Sequence, residues 1–138
     1  MADLSNPIFG PLLVQIGLTL AVVFWLAYAR FSYIAKHGLA KVGRDGFPRR
    51  TVNTSDNFKN QFEVPVLFYV LCLFFAGAGE VSALVLLLAW AFVFLRLFHA
   101  VIQLGPNIIF PWRFGSFLFS TLCVVGLFAV AVAQVIAA

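Results

Sequence analysis

Four apolar stretches, at about residues 8–33, 58–76, 81–104 and 114–136, fill most of this chain. Each is long enough to cross a bilayer as a helix, at roughly 20 residues per crossing. Only 10% of the residues are charged, whereas 63% are hydrophobic; a soluble domain would carry about a quarter charged. The expectation is an all-α integral membrane protein: one domain over residues 1–138, built as a left-handed up-down four-helix bundle. The first stretch could pass for a signal peptide, because Ala27-Tyr28-Ala29 has a small-x-small form. Asp3, the lack of an N-terminal Lys or Arg and the length of the run favour a retained span.

The formal net charge of +4 does not point to nucleic acid, because the basic residues cluster between the first two spans. Lys36, Lys41, Arg44, Arg49, Arg50 and Lys59 lie there against Asp45 and Asp56, in a polar segment (residues 36–57 as a loop) broken by Gly43, Gly46 and Pro48. The span three–four connection adds Arg113, whereas the N-terminus, the turn Gly77-Ala78-Gly79-Glu80 and the C-terminus carry no basic residue. By the positive-inside rule, loops one and three face the cytoplasm and both termini lie on the opposite side. Trp25, Tyr28 and Tyr33 suit the headgroup level at the end of span one. The short turn makes spans two and three an antiparallel hairpin, with Pro65 near the start of span two and Gly105-Pro106 ending span three. Cys72 and Cys123 lie inside spans, without metal-ligand spacing, and read as apolar filler.

Ionisable groups inside a span cost on the order of 3 kcal/mol or more and persist with a partner, a water-filled recess or a role. Glu63 and His99 fall roughly 7–8 Å from the cytoplasmic ends of their spans, Arg96 roughly 12 Å, and Arg113 at the surface, at 1.5 Å rise per residue. All four therefore fall in one leaflet. Arg96, His99 and Gln103 follow at i, i+3 and i+7 on span three; Asn57, Asn60 and Glu63 follow at i+3 steps at the start of span two. An Arg96–Glu63 ion pair would satisfy both stripes, leaving Arg113 to favour an anionic or thiolate ligand. Each residue also has a plainer reading: Arg113 as an interfacial anchor, Glu63–Arg96 as a structural pair, His99 as an interhelical hydrogen-bonder. Haem is disfavoured, since His37, the other histidine, sits at the far end of span one.

The run from Asn57 through Glu63-Val64-Pro65 to Tyr69 resembles the loop-to-second-helix motif of the MAPEG family (membrane-associated proteins in eicosanoid and glutathione metabolism). So do Arg96-x-x-His99, Asn107 and Arg113, and the likeness covers essentially the whole chain. The resemblance implies a homotrimer with sites between subunits, membrane lipids and lipophilic small molecules as partners, and glutathione as cofactor in a microsomal-type glutathione S-transferase or peroxidase. It implies that Asn60, Glu63, Arg96 and His99, with Arg50 and Gln103 nearby, hold glutathione, and that Arg113 stabilises its thiolate. A thiol of pKa about 8.5 needs about 2.7 kcal/mol of preferential thiolate stabilisation to fall two units.

Three departures stand out. Asp56 takes the place of an arginine expected four residues before the Asn of Asn-x-x-Glu, the nearest arginine being Arg50. Pro65 follows Glu63 early, so the motif can also be anchored on Asn57-x-x-Asn60. Gln103 stands where a tyrosine is common. The departures keep open a non-catalytic protein that binds lipid or scaffolds at the subunit interface. A transporter using Glu63 as proton carrier is less consistent with that residue's shallow position.

Overall fold

The computed structural model describes residues 5–79, 81–105 and 107–137. Glu80 and Pro106, assigned to turns from the sequence, lie outside the described residues, as does Asp3. Among the described residues there are six α-helices and no strands: α1 (Phe9–His37), α2 (Leu39–Asp45), α3 (Arg49–Asn60), α4 (Val64–Ala78), α5 (Ala83–Leu104) and α6 (Phe114–Ala137), with a kink at Ile109–Arg113 before α6, where Phe110 is extended (φ −121°, ψ 136°). Four helical segments are long and apolar enough to cross a membrane: Phe9–His37, Arg49–Ala78, Ala83–Leu104 and Ile109–Ala137. The protein is thus an integral, multi-pass membrane protein.

The segment expected as a basic loop over residues 36–57 is instead two helices. Gly38 ends α1 with φ 76°, a left-handed conformation that glycine adopts without steric cost, and its N–H bonds Ile34 O at 2.7 Å. Pro48, in extended conformation, then starts α3. Thr51, Thr54 and Asn57 form its buried face at i, i+3 and i+6. That face is polar, so an apolar-periodicity reading passes over it. The second crossing consequently begins well before Phe58.

It is also interrupted. Pro65 cannot donate to the carbonyl of Gln61, and its ring clashes there, so a continuous helix is not available. The chain leaves helical geometry at Glu63 (φ −95°, ψ −105°) and resumes as α4 with the proline in its first turn. At the next turn, Ser82 Oγ accepts from Val85 N at 3.3 Å and starts α5.

The packing differs from a side-by-side hairpin of α4 and α5. Most of the α4 contacts are with α1 and α6, and α5 packs on α1, α3 and α6. α4 and α5 face each other across the core through large side chains. Phe68 and Phe92, both fully buried, stack there with centroids 4.2 Å apart. Ile8, Leu12, Cys72, Phe75 and Leu127 complete the same cluster. At Gly126 on α6 a Cβ would come within 3.1 Å of Leu88, so the bare glycine permits close α5–α6 approach. The outward faces are apolar, as at Phe24 and Ile136, and suit acyl chains.

Phe92→Ala should cost about 3 kcal/mol by removing one ring of the stack and leaving a cavity. An unfolding titration in detergent would read this; a loss below a quarter of that value would show that the stack is dispensable.

Candidate functional site

The interruption after α3 places polar groups where three helices meet. Asn60 is the last residue of α3, and its carbonyl accepts from Arg96 Nη2 of α5 at 2.8 Å. One helical turn earlier, Asn57 Nδ2 donates to Ala100 O at 3.3 Å. Gln61, just past the helix end and fully buried, donates to Asn57 Oδ1 at 3.0 Å and accepts from Gln15 Nε2 of α1 at 3.0 Å. Thr19, one turn along α1, lies 3.2 Å from the Tyr69 hydroxyl of α4. A polar seam therefore runs from α1 through the α3–α4 break to α5.

On the α6 side of α5 the seam continues. His99 Nδ1 is 3.1 Å from the Arg113 carbonyl, and Ser116 Oγ donates to that carbonyl at 3.0 Å. Arg113 Nη1 donates to Asn107 Oδ1 at 3.1 Å. Asn107 adopts φ 49°, which asparagine tolerates better than most residues, and its N–H bonds Ile102 O at 2.7 Å. It thus both closes α5 and holds Arg113.

The Gln103 amide has two settings. In one, Oε1 accepts from Asn60 Nδ2 at 3.2 Å. In the other, Oε1 accepts from Arg113 Nη2 at 3.0 Å and Nε2 donates to His99 Nε2 at 3.2 Å. The second setting turns the Gln103 oxygen toward the donors Arg113 Nη2 and Asn57 N and ties His99 to Arg113. It also makes His99 Nε2 an acceptor, so the imidazole proton sits on Nδ1 and donates to Arg113 O.

The structure thus draws Asn60, Arg96, His99, Gln103 and Arg113 together and leaves two predicted members outside. Glu63 lies in the break, exposed, because Pro65 turns the chain off the α3 face that Asn57 and Asn60 occupy. The expected Arg96–Glu63 ion pair is absent; among the described residues the one ion pair is Lys59–Asp56 at 3.5 Å, on the surface. Arg50 sits exposed in the first turn of α3, roughly 15 Å along the axis from Asn60. Gln15, Gln61 and Ser116 join the seam without having been singled out from the sequence. A lone glutamine inside the first apolar run was the available signal for Gln15.

Two cations are in no ion pair among the described residues, although the field of Glu63 reaches Arg96. Arg96 is 0% exposed, and its Nε and Nη1 have no hydrogen-bond partner among the described residues. Arg113 is half-buried, held by neutral oxygens. The site therefore presents positive charge and free N–H donors, a combination that favours an anion. Among the described residues no cluster of His, Cys, Asp and Glu could hold a metal ion.

A family model described as the MAPEG family matches residues 8–133. The chain belongs to the MAPEG family. No curated protein and no solved structure matches it. In this MAPEG chain Asn57 and Asn60 are the α3 residues that bond to α5.

The Gln15–Gln61 bond is testable by a double-mutant cycle. Gln15→Leu and Gln61→Leu should each destabilise, and the pair should lose less than the sum, with a coupling of about 1 kcal/mol in detergent unfolding. Strict additivity would remove this bond from the seam.

Proposed function

We propose that this MAPEG protein binds glutathione as its thiolate beside Arg113 and conjugates it to lipophilic electrophiles, or reduces lipid hydroperoxides with it, arriving through the bilayer. The observation that carries the reading is the pair of arginines, Arg96 and Arg113, buried or half-buried and in no ion pair among the described residues. Desolvated cations of this kind are costly, and an anionic ligand compensates them. The N–H donors on Nε and Nη1 of Arg96, which have no partner among the described residues, suit the carboxylates of glutathione once the seam opens to admit them, and Arg113 suits its sulfur. When bound, glutathione supplies a soft nucleophile.

Each residue then has a defined task. Arg113 favours the thiolate by charge and N–H donation, and it cannot lose its own proton. Asn107 and Gln103 fix its guanidinium, so little ordering is left to occur on binding. His99, through Nδ1–H on the Arg113 carbonyl, locks the start of α6 against α5. Exposed Glu63 is free to meet the glutathione amine. In a homotrimer it would do so at the boundary with a neighbouring subunit. Loops one and three face the cytoplasm in this reading, which opens the site to the glutathione pool.

A second reading rests on a different observation. Between α4 and α6 runs an apolar groove of about 650 Å³, walled by Leu67, Val70, Phe74, Val125, Phe128 and Val132. With that groove filled by acyl chains, the protein would be a non-catalytic lipid-binding or scaffolding element. A fatty acid co-purifying with the protein, together with a flat glutathione isotherm, would favour it.

Glutathione added to wild-type protein in detergent should raise ultraviolet thiolate absorbance at neutral pH. Arg113→Ala should lose about 2.7 kcal/mol of thiolate preference, a shift near two pKa units, while Lys41→Ala should keep the signal. No thiolate in the wild type, with no conjugation of an aromatic halide, would overturn the proposal. Orientation is checked separately. Lys41→Cys should resist an impermeant maleimide in intact cells, whereas Ala137→Cys should react; the reverse pattern would invert the topology.

A further inference from the structure

A second recess lies away from the polar seam, where the end of α1 meets the α2–α3 connection. It has a volume of about 380 Å³ and an apolar floor from Val23, Ala27 and Phe31 of α1, closed by Phe47 and Phe58. Arg30 is its one charged wall residue. The guanidinium is fixed from two sides: it lies 5.6 Å from the centroid of the Phe47 ring, and Nη2 donates to Ser55 Oγ at 3.2 Å. Among the described residues no carboxylate pairs with it. Of its five N–H donors, this structure engages one with the protein.

The position of the recess limits what can fill it. Phe24 and Phe31 are 71% and 72% exposed on a membrane-crossing helix, so the recess opens sideways toward acyl chains. Trp25 and Tyr28, which pack on each other at 5.8 Å, mark the headgroup level. Arg30 follows within one turn, at the depth of lipid phosphates. Lys36, Lys41, Arg44, Arg49 and Arg50 continue along the chain on that side, against Asp45 alone. A soluble anion has no use for the apolar floor, and a neutral lipid gives Arg30 no net charge to meet. An anionic lipid meets both demands at once.

We propose that this recess binds one anionic glycerophospholipid, with an acyl chain along Val23, Ala27 and Phe31 and the phosphate on Arg30. The lipid would add to the packing of α1 against α3, which already includes the Arg30–Ser55 bond. The site is independent of the thiol-binding reading, because it shares no residue with the polar seam.

The test compares the full-length protein in phosphatidylcholine nanodiscs with increasing phosphatidylglycerol, counting retained lipids by native mass spectrometry and following thermal unfolding. One phosphatidylglycerol should be retained about fivefold more tightly than phosphatidylcholine, as expected for about 1 kcal/mol per cation, and it should raise the melting temperature. Arg30→Gln should abolish both effects, as should Ala27→Trp, which fills the floor and leaves the cation in place. Lys41→Gln should retain both. Equal retention of the two lipids, the same stabilisation by inorganic phosphate alone, or unchanged preference in both Arg30→Gln and Ala27→Trp would overturn the proposal. So would a change of oligomeric state in Arg30→Gln without any lipid preference in the wild type, which would assign the recess to a second copy of the chain.

Discussion

A proline early in a membrane-crossing helix leaves the carbonyl four residues before it without a donor, and the neighbourhood of Pro65 is shaped by that constraint. The chain breaks at residues 61–63, and the groups around the break find partners elsewhere. Asn60 O takes Arg96, Gln61 bridges Gln15 and Asn57, and Glu63 is turned outward. Without the interruption, Glu63 would continue the Asn57–Asn60 stripe and face α5.

The electrostatic character of the site follows. With the carboxylate displaced, Arg96 is buried against a neutral carbonyl, and Arg113 rests on neutral amide oxygens. A buried pair of opposite charges would have closed the site on itself. Arg96 is in no contact ion pair, and Glu63 reaches it only through its longer-range field, so the positive charge stays receptive to an anion while the fixed amides keep it oriented. The interruption thereby links a backbone defect to a binding property.

Much of this was legible in the residues. The four crossings follow from length and hydropathy, and the stripe Arg96–His99–Gln103 follows from helical spacing on α5, which the structure keeps as one uninterrupted helix. The segment over 36–57 reads as loop from the sequence because the buried face of α3 is polar: Thr51, Thr54, which bonds Arg50 O within the helix, and Asn57, which bonds Ala100 O of α5. The Arg96–Glu63 pair was misread because i+3 spacing holds only while the helix does.

Composition and spacing alone thus determined that the chain crosses the membrane, that its basic residues gather at one connection, and that three polar groups share a face of α5. Those properties are local, set by transfer energies and by the helical repeat. Which partners those groups have was settled by packing: Gln15 reaching Gln61 across 46 positions, Asn107 catching Arg113, and Glu63 left outside. Such contacts depend on where a broken helix points after the break, a direction that no pattern within a single helix contains.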